Sequence, residues 1–201
     1  MDMASSFFSL MLLEISPLSV EAGRIGSILV CLESLLLNYL LLCGLITESR
    51  AIARYLAEKF EGKGTALFGK TAKEKALVNQ WLEVEGQNCN PIVHTIVFHL
   101  VFGPMVGLQP VEAVVKEQLG KLEKLLDIYE AHLSENEYLA GEFFSMADLS
   151  HIPFTSYLIN EAKKGDAVTS RKHVNAWWET ISSRPSWKKV TALWYRPPKQ
   201  L

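Results

Sequence analysis

The sequence SMADLSHIPFTSYL, residues 145–158, marks the start of a helix by its own chemistry. In a capping box, the Ser145 side chain accepts a hydrogen bond from the backbone N–H of Asp148, and the Asp148 carboxylate accepts one from the backbone N–H of Ser145. Phe144 before the cap and Leu149 after it have the spacing of a hydrophobic staple. We assign Asp148 a structural role, and expect Asp148→Ala to lower the free energy of unfolding by about 1 kcal/mol.

Helical patterns continue on both sides of this stretch. Apolar residues at gaps of three and four between Val115 and Leu133 form the clearest amphipathic stripe in the chain. The predicted helical segments cover residues 47–61, 73–102, 115–133, 145–158, 170–183 and 184–194. We expect Pro91 to bend the second segment, and Gly103, Pro104, Gly107 and Pro110 to end it. No run alternates as a half-buried strand does, so a mainly α-helical bundle is predicted.

A glycine-rich segment separates the first helix from the rest. GKGTALFGK, residues 62–70, holds three glycines in nine residues, and the composition differs on its two sides. We place a domain boundary there. The predicted domains are residues 1–61 and 73–201, with a linker over residues 62–72.

Charge and metal-ligand spacing exclude several classes of function. The 20 basic and 22 acidic residues leave a net charge of -2 without long runs of either sign, so no nucleic-acid partner is predicted. The cysteines lie among apolar residues, which is typical of reduced, buried thiols in a reducing compartment. They are Cys31, Cys43 and Cys89. The histidines lack a Glu or Cys at ligand spacing, so no metal site is predicted.

The N-terminal region raises the question of a membrane. Asp2 stands where a secretory signal carries Lys or Arg, so no signal peptide is predicted. Residues 28–46 are long enough to span a bilayer and hold one charge, Glu33. A central acidic residue costs about 2.5 to 3.5 kcal/mol on insertion scales, so we expect no span. A membrane-anchored protein remains an alternative.

The stretch TESRAIARYL, residues 47–56, places a carboxylate and a hydroxyl at the head of a helix. A helix N-terminus has unpaired N–H donors and the positive end of the helix dipole, and both attract anions. Spacing alone favours a simpler interpretation, in which Thr47 or Ser49 caps the helix and Glu48 complements the dipole.

Several motifs together resemble one family. They are TESRAIARYL, QWLEVEGQN, YLAGEFFSMADLSHIPFTSYL, HVNAWWETISSRPSWKKV and LVCLES. The chain is similar to plant phi-class glutathione transferases from Glu48 to about Lys189, about seventy per cent of its length. The resemblance implies an N-terminal thioredoxin-like domain that binds glutathione and a helical domain that shapes a pocket for an apolar electrophile.

The activity implied by the resemblance is addition of the glutathione thiolate to an electrophilic carbon, or reduction of an organic hydroperoxide. Glutathione is the co-substrate, and neither a cofactor nor a metal is expected. The family also implies a cytoplasmic homodimer that acts in detoxification.

The resemblance assigns roles to residues near the N-terminus. The γ-glutamyl group of glutathione carries a carboxylate, which suits Ser49 and the helix N-terminus, and an ammonium, which suits Glu48. The catalytic serine of the family corresponds to Ser19 if three extra residues follow it. An ungapped match places Ala22 there, which has no hydroxyl to donate to the thiolate.

The resemblance also implies that Phe98 and Phe102, one helical turn apart, line the pocket for the apolar co-substrate. The alternative is that both are core aromatics at helical spacing.

The sequence departs from the family pattern before Glu48. Only 14 residues, Ser34–Thr47, replace the second half of the thioredoxin-like domain, whereas a βαβ unit takes about thirty or more. The basic loop and the cis-proline segment that contact glutathione in the family have no counterpart. We therefore expect an incomplete thioredoxin-like domain and impaired transferase activity. The alternative is a non-catalytic helical protein that binds a ligand or partner.

Overall fold

The computed structural model describes residues 49–194. Its helices are α1 (Ser49–Lys59), α2 (Ala72–Val84), α3 (Asn90–Val97), α4 (Gly103–Met105), α5 (Glu112–Leu133), α6 (Met146–Asn160), α7 (Asp166–Thr169), α8 (Lys172–Ser182) and α9 (Pro185–Trp194). Two π-helical segments, π1 (Glu85–Cys89) and π2 (Phe98–Phe102), join α2 to α3 and α3 to α4. Residues 49–194 contain no β-strand. The predicted mainly helical C-terminal bundle is confirmed, whereas most of the predicted thioredoxin-like domain lies outside the described residues.

The described chain divides into two compact units. The larger unit is residues 68–181, and the smaller one combines residues 49–67 with residues 182–194. In the larger unit, α3 packs against α5 and α6, and α2 packs against α6. The buried apolar side chains of that unit include Val78, Leu82, Ile96, Leu122, Leu126, Leu149, Ile152, Val174 and Ile181. Within residues 49–194, no helix combines the length and the apolar character that crossing a membrane requires. Residues 28–46 lie outside this range.

A capping box begins α2 directly after the glycine-rich segment. The Glu74 carboxylate accepts from the backbone N–H of Thr71 at 2.8 Å and of Lys70 at 2.6 Å, and these hydrogen bonds lower the pKa of Glu74. Gly69 has φ +70°, and a Cβ at this position would lie 2.6 Å from the Glu74 Cβ. The turn that positions the cap therefore requires glycine.

The long helix predicted over residues 73–102 is confirmed, but it is not uniformly α-helical. In π1 the backbone N–H of Asn90 donates to the carbonyl of Glu85, and in π2 that of Gly103 donates to the carbonyl of Phe98. Each bond reaches back five residues instead of four, so each segment holds one more residue than an α-helical turn.

Both prolines of this long helix follow a π segment. Pro91 and Pro104 are each the second residue after a π segment, and the helical backbone continues through both. The helix continues through Gly103 and Pro104 to Met105, three residues beyond the predicted end. Gly107 and Pro110, which were also predicted to end it, follow that point.

The amphipathic stripe predicted on α5 is confirmed. Its buried members are Val115, Leu122, Leu126, Tyr129 and Leu133, with Leu119 half-buried. Trp81, Trp177 and Trp178 are buried, and Cys89 is buried as predicted. The rings of Trp81 and Trp177 lie 5.0 Å and 6.4 Å from that of Tyr129, so α2 and α8 meet the same face of α5.

A buried hydrogen-bond chain joins α5 to α6. The Tyr129 hydroxyl lies 3.0 Å from His151 Nε2, and His151 Nδ1 lies 2.7 Å from the carbonyl of Ala147. Because a carbonyl only accepts, the His151 proton is on Nδ1, and the Tyr129 hydroxyl donates to Nε2. Burial, followed by the nearby Cys89 and Glu85, raises the pKa of Tyr129 well above its ordinary value.

Asp148 joins three parts of the larger unit. Its carboxylate is fully buried. Oδ1 accepts from the Leu139 N–H at 3.0 Å and the Trp177 indole N–H at 2.9 Å. Oδ2 accepts from the Ser145 N–H at 2.8 Å and the Ser145 hydroxyl at 2.7 Å. The predicted capping box is confirmed. The expected cost of about 1 kcal/mol counts only the cap, and because the carboxylate accepts from four donors, we now expect a larger cost.

Charged side chains attach α8 to α5. Arg171, just before α8, lies 2.7 Å from the Asp127 carboxylate and 2.6 Å from that of Glu123. The Glu130 carboxylate accepts from the backbone N–H groups of His173 and Val174, both at 2.9 Å. Glu130 thereby satisfies orphan donors in the first turn of α8.

We expect Asp148→Ala to lower the free energy of unfolding by about 3 to 5 kcal/mol, because several buried donors lose their acceptor together. The exposed Asp166 is the matched control, and Asp166→Ala should change stability by less than about 0.5 kcal/mol. Urea unfolding of both variants measures this. Equal losses in the two variants would contradict the central role of Asp148.

Glu130 should make stability depend on pH. Burial favours a higher pKa for Glu130, but hydrogen bonds from Val174 and His173 outweigh it and lower the pKa below 4.5. A lowered folded-state pKa stabilises the protein above the unfolded-state pKa, and this stabilisation is lost as pH falls through the folded-state value. The stability difference between wild type and Glu130→Gln should therefore be largest above the unfolded-state pKa of about 4.5 and shrink as pH falls below it.

Urea unfolding across this pH range tests the role of Glu130. The exposed Glu135 lies just beyond α5, and Glu135→Gln should leave the curve of stability against pH unchanged. A difference between wild type and Glu130→Gln that grows on acidification would reverse the assigned sign.

Candidate functional site

The outward side of α3 and π2 carries aromatic side chains. Val93, Ile96 and Val97 are buried on the inward side of α3. His94 is exposed, and Phe98 is 38% exposed. This part of the long helix therefore presents rings to solvent from a backbone held by its buried side.

Rings from α6 complete this surface. The His94 ring lies 5.5 Å from that of Phe154 and 6.4 Å from that of Phe98, and the Phe102 ring lies 5.3 Å from that of Tyr157. Phe102, Phe154 and Tyr157 are half-buried. We call these five residues the aromatic face.

The aromatic face is suited to binding apolar groups. Burial, and next the charge of Glu161, raises the pKa of the Tyr157 hydroxyl. That hydroxyl therefore stays protonated near neutral pH, and no carboxylate or thiol belongs to the face. The face offers ring surfaces, an imidazole and a phenol hydroxyl to a ligand.

The segment after π2 extends the exposed apolar surface. Met105, Val106 and Leu108 are 77%, 74% and 52% exposed. The segment turns back on the helix. A Cβ placed on Gly103 would lie only 3.6 Å from the Leu108 Cβ. Gly103 is buried, and such a Cβ would also lie 3.1 Å from the Phe98 carbonyl oxygen, so glycine favours this close approach.

The structure places the predicted site residues unevenly. Phe98 and Phe102 lie on the aromatic face, and neither is fully buried as a core aromatic would be. Ser49 is the first residue of α1, in the smaller unit, and is half-buried. Ser19, Ala22 and Glu48 lie outside the described residues. Within residues 49–194, no group of three or more His, Cys, Asp or Glu side chains is placed to hold a metal.

Sequence reasoning missed three members of the aromatic face, namely His94, Phe154 and Tyr157. His94 precedes Phe98 by four residues, a spacing that places two side chains on one side of a helix and could have found it. Phe154 and Tyr157 belong to α6, and only the packing of α6 against α3 brings them to the face.

Comparisons with known proteins identify the family. Residues 89–185 match the model of the glutathione S-transferase C-terminal domain. Glutathione S-transferase F10 of Arabidopsis thaliana is 49% identical over 152 residues, which are 76% of this chain and 71% of that protein.

Solved structures agree. Glutathione transferase F7 from Populus trichocarpa superposes with a TM-score of 0.70 at 47% identity, covering 74% of this chain and 70% of that one. Glutathione S-transferase I from maize, solved in complex with an atrazine glutathione conjugate, superposes with a TM-score of 0.70 at 37% identity, covering 77% and 70%. The chain therefore belongs to the phi class of the glutathione S-transferase family.

Proposed function

We propose that the chain conjugates reduced glutathione to apolar electrophiles, as a detoxifying transferase. The observation that carries this proposal is the 49% identity to glutathione S-transferase F10 over 71% of that protein. The aromatic face supports it, because sites for small ligands are lined predominantly by apolar and aromatic side chains. The maize relative solved with an atrazine glutathione conjugate supports the same class of product.

In the proposed reaction, the thiolate of glutathione attacks an electrophilic carbon. A carbon–sulfur bond forms, the leaving group departs with its electron pair, and the thiol proton passes to solvent. Ser19 is proposed to donate a hydrogen bond to the thiolate, which lowers the pKa of the thiol. Phe98 and Phe102 are proposed to hold the apolar part of the electrophile.

Glu48 and Ser49 are proposed to bind the γ-glutamyl group of glutathione. Glu48 binds the ammonium of that group, and Ser49 binds its carboxylate. Two features of α1 support the part of Ser49. Ser49 lies in the first turn of α1, where the N–H groups have no partner within the helix and the positive end of the helix dipole attracts a carboxylate. Arg50 adds a positive charge to that turn.

The proposed organisation follows the family. Residues 1–61 form the glutathione-binding domain, residues 62–72 a linker, and residues 73–201 the helical domain. A cytoplasmic homodimer that uses glutathione as co-substrate, without a metal, is proposed with it. Sedimentation equilibrium of the purified chain tests the oligomeric state, and a monomer at micromolar concentration would contradict the proposed dimer.

The first test of function is conjugation of glutathione to 1-chloro-2,4-dinitrobenzene by the purified chain, followed by absorbance of the product. We expect turnover above the uncatalysed rate. Ser49→Ala should raise the KM for glutathione by about tenfold or more, because a hydrogen bond to a charged group is lost. Ser19→Ala should lower kcat.

A matched control for Ser49→Ala is Ser134→Ala, which removes an exposed hydroxyl that donates to the carbonyl of Ala131. This variant should keep both kinetic constants within about twofold. An identical loss in both serine variants would show that the Ser49 effect is not specific to the glutathione site.

The proposed binding of the electrophile on the aromatic face leads to a separate prediction. Phe98→Ala and Phe102→Ala should each raise the KM for the electrophile by about three- to tenfold while the KM for glutathione stays constant, because each removes ring surface from one substrate only. Ile128→Ala, at a 62% exposed position on α5, should change neither constant. An unchanged KM for the electrophile in both phenylalanine variants would remove the aromatic face from the site.

The second candidate function is a non-catalytic protein that binds an apolar ligand or a partner on the same face. The exposed apolar side chains after π2 favour this candidate, because such surfaces mark binding sites. Retention on immobilised glutathione separates the two candidates. A folded chain that neither turns over nor binds glutathione would favour the second.

A further inference from the structure

The segment after π2 ends in an exposed tip of apolar side chains. Gly107 turns the chain there with φ +84°, and a Cβ placed on it would meet no atom beyond those of its chain neighbours within 4 Å. The turn therefore projects into open space. We call residues 105–111 the apolar tip. Four of its side chains are apolar and between 48% and 77% exposed, namely Met105, Val106, Leu108 and Val111.

Three backbone N–H groups of the apolar tip are hydrogen-bonded to the end of the long helix. Those of Val106 and Leu108 donate to the Gly103 carbonyl at 3.0 Å and 2.9 Å. That of Gly107 donates to the Pro104 carbonyl at 3.1 Å. These donors are already paired, so removing the turn from water does not leave them unsatisfied.

The rest of the apolar tip has few backbone donors to lose. The Val111 N–H donates to His99 Nδ1 at 3.4 Å, and Pro110 has no N–H. Gln109 supplies the remaining N–H of residues 106–111. A protein partner that adds a strand uses free backbone donors, whereas a lipid layer favours a backbone whose donors are satisfied within the chain. The tip therefore fits a lipid surface better than a partner strand.

No charged side chain belongs to the apolar tip. Residues 100–111, LVFGPMVGLQPV, contain none. Glu112 and Lys116 follow on α5, and both are exposed and opposite in charge, so they give the tip no net sign. An uncharged tip with balanced flanking charges matches a zwitterionic lipid surface, whereas attraction to an anionic surface takes clustered Lys or Arg.

We propose that the apolar tip inserts reversibly at the headgroup–acyl boundary of a zwitterionic bilayer, so that this chain binds membranes peripherally. The exposed side chains enter the apolar layer, and at this shallow depth interfacial water still hydrates the carbonyl groups of the turn. This attachment differs from a membrane span by residues 28–46, because the tip lies on one surface of the bilayer. It is also independent of the proposed transferase activity.

Co-sedimentation of the full chain with sucrose-loaded phosphatidylcholine vesicles tests this proposal. A few apolar side chains bind less tightly than one acyl chain, so we expect about half of the protein to sediment at about 1 mM accessible lipid. Raising NaCl to about 1 M should leave this fraction unchanged, because salt screens charge attraction and not apolar burial. Binding that is lost at high salt would overturn the proposal.

Substitutions in the apolar tip locate the contact. Met105→Gln, Val106→Ser and Leu108→Gln combined should weaken vesicle binding by about tenfold or more, because three exposed apolar side chains no longer enter the lipid. Ile128→Gln is the matched control, since Ile128 is 62% exposed on α5 and lies outside the tip. This control should change binding by less than about twofold.

A fluorescence measurement distinguishes insertion from adsorption at the surface. Val106→Trp adds an indole to the apolar tip, and phosphatidylcholine brominated on its acyl chains quenches only fluorophores that reach the apolar layer. The quenched fraction of the emission should be larger in this variant than in the wild type. Equal quenching in the two proteins would contradict insertion of the tip.

The remaining outcomes also decide the question. A combined tip variant that sediments like the wild type would overturn the proposal, because another segment, such as residues 28–46, would then carry the binding. A wild type that binds no vesicles, with tip substitutions that turn a dimer into a monomer in sedimentation equilibrium, would show that a second copy covers the tip. Circular dichroism confirms that each variant is folded. None of these readouts depends on turnover, so a failure of the transferase proposal would leave this one standing.

Discussion

The buried carboxylate of Asp148 is the interaction on which the larger unit depends. Its oxygens accept hydrogen bonds from Ser145 at the cap of α6, from Leu139 before that helix and from Trp177 on α8. A buried charge is tolerable only when its hydrogen-bonding capacity is filled, so these segments must be in place together. The start of α6, the Leu139 segment and α8 are therefore fixed by one group, and the packing of α5 against them follows.

The aromatic face depends on this core without being part of it. Buried valines and an isoleucine hold α3 on its inward side, and α6 carries Phe154 and Tyr157 up to α3. A rigid core under an exposed ring surface keeps that surface in one arrangement, and little conformational entropy is then lost when a ligand binds. The buried polar groups around Asp148 are paired with one another, whereas His94 on the aromatic face is exposed.

Local signals in the sequence predicted the structural features that depend on residues close together in the chain, such as a helix cap or an amphipathic stripe. The Ser145–Asp148 cap and the stripe on α5 need only spacings of three and four, and both were predicted. The bonds from Leu139 and Trp177 to Asp148, and the Arg171 contacts with Asp127 and Glu123, join residues from 9 to 48 positions apart, and no short pattern reveals them. In the candidate site, Phe98 and Phe102 came from the family resemblance, whereas Phe154 and Tyr157 required the packing of two helices.

The two π segments also bear on how the long helix can change in evolution. Each holds one residue beyond the α-helical repeat, in a turn closed by a bond from residue i+5. Deleting a residue elsewhere in a helix rotates everything downstream by about 100°, because there are about 3.6 residues per turn. A deletion inside a π segment can instead be absorbed as a return to α geometry. These wide turns are therefore the places where this helix can lose a residue while the buried and ring-bearing sides keep their orientation.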